Sequence, residues 1–229
     1  MKILITGSNG VIGNVLKQGL PHDITHYDLP DFDVHDYPQL VSRAKGHDAI
    51  VHLAWDTATD NWKSDYLNPN NALKTANIYR AAVEAGVRRV IMASSVHADK
   101  FEGRTIDGLL KPYDLPLPDS PYGARKVLME SLGRYYSDAK DLGVVCVRFG
   151  AVNRANVAPE APESERQVWL SHRDCSALIT SYLEAPSIPN NFEIVYGVSD
   201  NAGRIHDIQN SVGWQPQDGA QPLVHRPEQ

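Results

Sequence analysis

With 229 residues, 42% of them hydrophobic, the chain is long and apolar enough to bury a full core, and it fits one domain of ordinary size rather than a disordered segment. A net charge of -6 and a pI near 5.8, with no cluster of lysine or arginine to track phosphates, argue against a nucleic-acid partner. The longest apolar runs are strand-sized and Met1-Lys2 leads straight into one, so neither a membrane span nor a signal peptide is expected and the chain reads as cytoplasmic.

In chain order, Lys2 to Thr6 is a short apolar strand, the turn Gly7-Ser8-Asn9-Gly10-Val11-Ile12-Gly13 follows, and Ile12, Val15, Leu16 and Leu20 recur at helical spacing. Gly7 permits a tight turn, Gly10 lets the backbone approach a pyrophosphate at the helix N-terminus, and Gly13 lets the helix lie close on the strand. Such a triplet between a strand and an amphipathic helix predicts a dinucleotide site, with Gly7, Asn9, Gly10, Val11, Ile12 and Gly13 against the cofactor. The next strand, Ile24 to Tyr27, ends at Asp28. A carboxylate there accepts hydrogen bonds from ribose hydroxyls and repels a 2′-phosphate, which predicts NAD rather than NADP. The spacing Gly-x-x-Gly-x-x-Gly after Thr6 resembles the extended short-chain dehydrogenase/reductase family, also called the NAD-dependent epimerase/dehydratase family. That resemblance implies the adenine beside Asp33 and Val34.

Tyr37 to about Ala44 reads as a short helix and Ala49 to Ala54 as a buried parallel strand. In the family this strand ends in His-Leu-Ala or a close variant. The resemblance therefore runs the backbone of Leu53 and Ala54 along the cofactor, whereas His52 is expected as a satisfied histidine. Trp55 to Asn70 is polar and irregular, a candidate substrate loop. A helix from about Asn70 to Ala85 stops at Gly86, and by resemblance Asn71 in its first turn supports the active-site geometry and the cofactor. Arg88 to Ser95 is the next strand, and Ser95 at its end is where a reacting hydroxyl could be held.

Ser120 is a good N-cap and Pro121 suits the first helical position, so a helix is expected from there to about Lys140. Tyr122 and Lys126 stand four apart on one face of it, where the ammonium favours the phenolate and makes the phenol a better proton acceptor. Taken alone, the pair also suits an ordinary amphipathic helix. Ser95 followed by Tyr122 and Lys126 reproduces the Ser, Tyr-x-x-x-Lys arrangement of the short-chain dehydrogenases, and two signatures in the right order predict an enzyme. Val144 to Arg148 reads as the sixth parallel strand, Arg154 to Gln167 as a mobile lid or substrate loop, Arg173 to Glu184 as a helix, Phe192 to Tyr196 as a strand and Ile205 to Ser211 as a last helix. Gly219 to Gln229 reads as a loose tail. Cys146 and Cys175 have neither metal-ligand spacing nor a disulfide framework, so free packing thiols and no metal are expected.

Within the superfamily, the segments Ala93-Ser94-Ser95 with His97, Ser120-Pro121-Tyr122-Gly123, Trp169-Leu170-Ser171, Val195 to Ser199 and Gly213 to Asp218 resemble the uronate dehydrogenases most closely. The resemblance implies a substrate site of Ser95, Val96, His97, Tyr122 and Asn153, with Arg166 gripping the substrate carboxylate through paired hydrogen bonds. Val96 departs from the family, which has a sugar-binding asparagine there. The expected fold is a Rossmann-like, doubly wound parallel α/β sheet, with an NAD-binding domain over 1–153 and a small C-terminal part over 154–229 completing the substrate pocket in one compact unit. The expected reaction is NAD-dependent oxidation of a small sugar, a hexuronate at C1 going to the aldarolactone, with Ser95, Tyr122 and Lys126 as catalytic residues. Nucleotide-sugar epimerases, dehydratases and reductases share these motifs but need a larger C-terminal lobe than the roughly eighty residues after Arg148. A non-catalytic NAD(P)-sensing protein typically loses the tyrosine or the lysine, and both are kept. Exposed helical faces near Thr75 to Arg80 and Arg134 to Lys140 predict a homodimer.

Overall fold

A computed structural model of the protein describes residues 1–58, 63, 65–104 and 106–222; residues 59–62 and 64 of the expected substrate loop and 223–229 of the expected tail lie outside the described residues. Six strands, β1 (Lys2–Thr6), β2 (Asp23–Tyr27), β3 (Ala49–His52), β4 (Arg89–Ser95), β5 (Gly143–Phe149) and β6 (Phe192–Gly197), make one parallel sheet in the order β2-β1-β3-β4-β5-β6. Around them run helices α1 (Val11–Gly19), α2 (Tyr37–Ala44), α3 (Pro69–Ala85), α4 (Pro121–Lys140), α5 (Glu163–Gln167) and α6 (His172–Glu184).

The aliphatic runs of the central strands are buried at nearly every position because helices cover both faces of a parallel sheet. Side chains alternate between the faces. Ile3, Ile5, Val51, Ile91, Val145 and Val147 pack with Val15 and Leu16 of α1 and Leu178 and Ile179 of α6. Leu4, Ile50, Val90, Met92, Val144 and Cys146 pack with Leu40 and Val41 of α2 and Ile78 and Ala82 of α3. Each such burial stabilises the fold by about 1.5–3 kcal/mol before chain entropy is charged against it. The result is a doubly wound, Rossmann-like α/β fold. Because the chain passes from β1 outward to β2 and then crosses to β3 on the other side of β1, a crevice opens above the C-terminal ends of β1 and β3.

The helix ends carry the signals expected of them. Ser120 Oγ accepts from Gly123 N at 3.1 Å ahead of α4, Asn68 caps α3 through Asn70 N at 3.0 Å, and Gly86 ends α3 at φ 72°. At the foot of α6, Arg88 donates to Leu183 O at 3.1 Å and Arg89 to Ala185 O at 2.8 Å, which neutralises the last carbonyls of that helix and ties it to β4.

Several expectations are corrected. The strand from Ala49 stops at His52, so Leu53 and Ala54 follow it as irregular backbone. The strand at Val144 is the fifth, and among the described residues no further strand separates it from β4. The strand expected at Phe192 to Tyr196 is present as β6, which pairs with β5 and extends the sheet. Ile205 to Ser211 is not helical: Leu110 N donates to Ile205 O at 2.7 Å and Asp207 N to Leu110 O at 2.8 Å, pairing this segment with a distant loop. The apolar residues Ile205, Ile208 and Val212 mimic helical spacing but serve two cores, one under Tyr196 and one against α6. The loop from Arg154 contains a helix, α5. Thr75, Asn77, Ile78 and Tyr79 are buried, so that stretch of α3 offers no exposed dimer face, while Arg134 to Lys140 is largely exposed. Gly219 and Ala220 are not loose, since Ala220 N donates to Asn201 Oδ1 at 2.9 Å.

Candidate active site

One cavity of about 750 Å³ runs across the C-terminal ends of the strands. Its first end is the glycine turn. Gly7 has φ +69°, and a Cβ there would stand 2.6 Å from Ala54 N, so only glycine lets the end of β1 pass the chain leaving β3. A Cβ on Gly13 would stand 2.5 Å from Ser8 O, so the close approach made by α1 is to the turn itself rather than to the strand. Gly10 caps α1 without a side-chain hydrogen bond and no acidic residue occupies the first turn, which leaves the dipole of that helix available to an anion. Ser8 Oγ is buried with no hydrogen-bond partner among the described residues. An uncapped helix N-terminus behind a turn whose three glycines border the cavity fits a dinucleotide pyrophosphate.

Asp28 stands just past β2 on the cavity wall. One carboxylate oxygen accepts from Asn9 N at 2.7 Å and the other from Leu29 N at 2.8 Å, so it also pins the glycine turn. Gly7, Gly10, Val11, Ile12, Gly13, Asp28, Asp33, Val34, Leu53 and Ala54 all border the cavity. His52, below them, holds Thr6 Oγ1 at 2.7 Å, and burial, reinforced by the charges of Lys126 and Lys74, pushes its pKa down to about 3. It is a neutral structural group.

The other end of the cavity takes shape where β4 meets α4. Ser95 ends β4, 5% exposed, and its Oγ accepts from His97 N at 3.2 Å. Lys126 is 3% exposed; its Nζ donates to Ala93 O at 2.7 Å, lies 3.7 Å from the centroid of the Trp55 ring and 5.3 Å from that of Tyr122. The Tyr122 ring is held edge-on by Trp55 at 5.7 Å and by His97 at 5.9 Å. Ser95, Val96, His97, Tyr122 and Lys126 therefore share one wall.

What holds α4 at the right depth lies one turn beyond Lys126. Glu130 accepts from Ser94 Oγ of β4 at 2.5 Å and receives two hydrogen bonds of 2.8 Å from Arg148 of β5, while Arg148 also donates to Tyr196 OH at 3.0 Å. Arg148 is fully buried and Glu130 nearly so. Burial alone would lower the arginine pKa, but the Glu130 hydrogen bond and charge outweigh it and raise it, so the guanidinium stays charged.

Four expected site residues stand off the wall. Asn71 is buried and accepts from Asp56 N at 2.9 Å, holding the chain after β3 to α3. Asn9 meets Asp28 through its backbone. Asn153 folds back on Val157, its Nδ2 donating to Val157 O at 2.6 Å. Arg166 is committed to backbone, donating to Gln221 O at 2.6 Å and Pro159 O at 2.8 Å. Conversely Lys74 and Phe101 border the cavity without having been expected there, Trp55, Arg154 and Glu165 were expected only as parts of candidate substrate loops, and Phe149 borders it where the chain leaving β5 was expected over the nicotinamide. For Trp55 a signal existed, an aromatic directly after Ala54, where the sequence places the end of the strand. Arg154 and Glu165 reach the wall only through the path of their loop.

The model of the NAD dependent epimerase/dehydratase family matches residues 3–166. The NAD-dependent glucose-6-phosphate dehydrogenase of Haloferax volcanii is 31% identical over 95% of this chain and 94% of its own length, and the L-arabinose 1-dehydrogenase (NAD(P)(+)) of the same organism is 32% identical over 97% and 99%. Among solved structures, a variant of the uronate dehydrogenase from Agrobacterium tumefaciens complexed with NAD superposes with a TM-score of 0.77 at 25% identity, covering 96% of this chain and 85% of that one.

Proposed function

Because the chain belongs to the NAD dependent epimerase/dehydratase family, we propose that it is an NAD-dependent sugar dehydrogenase that oxidises C1 of a small sugar to its lactone. The observation that carries this reading is the convergence of Ser95, Tyr122 and Lys126 on the cavity that the glycine turn closes at its other end. Gly7 to Gly13 would hold the pyrophosphate of NAD and Asp28 its adenosine ribose, and the cofactor would supply the hydride acceptor. Ser95 orients the C1 hydroxyl, Tyr122 takes its proton, and Lys126 stabilises the phenolate through its charge. Trp55 covers Lys126 and keeps water from the ammonium, which strengthens that effect.

The finer reading is a hexuronate going to the aldarolactone. Arg166 is already bonded to Pro159 and Gln221, so within this reading Arg154 on the wall is the cation for the substrate carboxylate. A neutral aldose is the second reading, favoured by the apolar Val96 and Ala151 and by the carboxylate of Glu165 on the same wall. A screen of uronates, aldoses and polyols for NADH formation tests both. Reduction of NAD by a uronate alone supports the first, by aldoses the second, and by none of them overturns the dehydrogenase reading in favour of an epimerase or a cofactor-sensing protein. We also propose a homodimer packed through the exposed part of α4, including Leu128 and Tyr135; a monomer mass by light scattering at micromolar concentration rejects it.

A further inference from the structure

Helix α5 brings Glu165 to the cavity wall, yet none of its five residues is buried and Pro162 at its N-cap gives it no side-chain hydrogen bond. A helix so short holds its shape neither by its own backbone bonds nor, here, by apolar burial. The chain just after it is fixed, because Ala151 N donates to Val168 O at 2.9 Å. The helix itself is stapled by Arg166, whose Nη1 donates to Pro159 O at 2.8 Å and whose Nε donates to Gln221 O at 2.6 Å. A planar guanidinium sends its donors out in fixed directions, so one side chain ties together two segments far apart in sequence.

Gln221 is held in turn. Residues 218–220 run beside residues 200–202, where Asp200 N donates to Asp218 O at 2.8 Å, Ala202 N to Ala220 O at 2.9 Å and Ala220 N to Asn201 Oδ1 at 2.9 Å. The amide of the same buried Asn201 donates to Gln167 O at 3.0 Å and to Trp169 O at 2.7 Å, so it links this strap to the last turn of α5.

We propose that Arg166 is a positioning residue for the sugar end of the cavity: by joining α5 to the strap of residues 218–221 it holds Glu165 on the wall, so that the surface the sugar meets is set before the sugar binds. This rests on the dehydrogenase reading above. Two of the Arg166 donors are engaged with backbone carbonyls, and it is Glu165 that borders the cavity, so the effect is the same for a uronate and for a neutral aldose. A wall that must order on binding weakens the apparent affinity by the fraction of molecules already in the competent arrangement. Ser95, Tyr122, Lys126 and the glycine turn stand on other elements, so the consequence falls on the sugar KM and not on kcat or on NAD.

The test uses two variants of the full chain. Arg166→Met keeps an unbranched stem without the donors, while Ala220→Pro leaves Arg166 intact and removes the N–H that Asn201 accepts. Each is expected to raise KM for the sugar that the wild type oxidises fastest by about tenfold, as when the competent arrangement falls to about a tenth of the molecules. Turnover, the Kd for NAD measured by titration and the melting temperature stay near wild type. The double variant is no worse than Arg166→Met, because both changes break one connection. Amide exchange reads the helix directly: the Glu165 and Arg166 amides, both bonded to Pro162 O, exchange faster in each variant while those of β5 do not. Wild-type KM or wild-type exchange in Arg166→Met overturns the proposal. A rise in KM confined to uronates, with Ala220→Pro unaffected, also overturns it and makes Arg166 a direct partner of the substrate carboxylate. A parallel loss of turnover, NAD affinity and melting temperature overturns it as well, because both changes then merely destabilise the fold. Each of these leaves the dehydrogenase reading standing. A wild type that oxidises no sugar overturns that reading and with it the assignment of this wall to a sugar, while the exchange rates still decide whether Arg166 holds α5.

Discussion

The two ends of the cavity are built on different principles. At the glycine-turn end the wall is backbone, and its shape follows from where a Cβ cannot fit: Gly7 against Ala54 N, Gly13 against Ser8 O. At the other end the wall is side chain, gathered from the end of β4, the start of α4, the chain leaving β5 and the region of α5. The first end is a steric requirement carried by the glycines of one short turn, met at Gly7 by the chain leaving β3. The second depends on loops that the sheet brings together from positions far apart in the chain. A site divided in this way can keep a nicotinamide cofactor at one end while its substrate changes by loop variation, which matches one relative named as an NAD-dependent glucose-6-phosphate dehydrogenase and another as an L-arabinose 1-dehydrogenase using NAD(P).

The sharpest separation of the two ends comes from Tyr122→Phe. The ring stays against Trp55 and His97 and only the ionisable oxygen is lost, so turnover is expected to fall by about two to four powers of ten, the worth of a positioned general base. NAD affinity, measured by titration, stays near wild type. If turnover survived, α4 would be a structural helix and the loop end would carry no chemistry.

Glu130→Ala acts on what joins the ends. It removes the partner of a fully buried guanidinium and the link to Ser94, which is expected to lower stability by about 3–5 kcal/mol, read from the urea midpoint. A loss below about 1 kcal/mol would show that α4 is held in place by other contacts.

Acidification probes one buried histidine at each end. His52 lies under the glycine turn and His206 lies between the rings of Phe101 and Tyr196; burial first, then nearby lysine or arginine charge, pushes each pKa down from 6.5 to about 3. The unfolded chain binds these protons below about pH 6.5 and the folded chain does not, so stability is full above that pH and declines toward about pH 3, by about 1.4 kcal/mol per pH unit for each histidine. His206→Phe is expected to remove about half of that slope in urea unfolding measured between about pH 6 and about pH 4. An unchanged slope would mean that His206 is protonated while still folded.

The smallest expected effect is at the glycine-turn end alone. Asp28→Ala removes the carboxylate that repels a 2′-phosphate and that accepts from Asn9 N, and the ratio of kcat/KM for NAD over NADP should fall by about tenfold with the sugar KM unchanged. Equal kcat/KM for the two cofactors in the unmutated protein would remove Asp28 from the site.

Residues close in sequence determined most of the fold and the cofactor end by themselves. Aliphatic strand runs, caps such as Ser120 and Gly86 and the Tyr122–Lys126 spacing each act through neighbours within a turn or a strand, and the Gly7 to Gly13 turn is marked by its own residues even though Gly7 is crowded by the distant Ala54, so these could be read without knowing where the rest of the chain lies. Only the tertiary structure decided that Ile205 to Ser211 pairs with Leu110 instead of coiling, because its backbone groups find partners far away in the chain. The same holds for Arg166 and Arg154. Both are arginines in one loop, and nothing local distinguishes them; what separates them is that Pro159 and Gln221 turn their carbonyls toward Arg166, while the path of the chain after β5 carries Arg154 to the cavity wall. Long-range packing chooses which of several equivalent side chains meets the substrate, because that choice depends on the distance between loops and not on the identity of their residues.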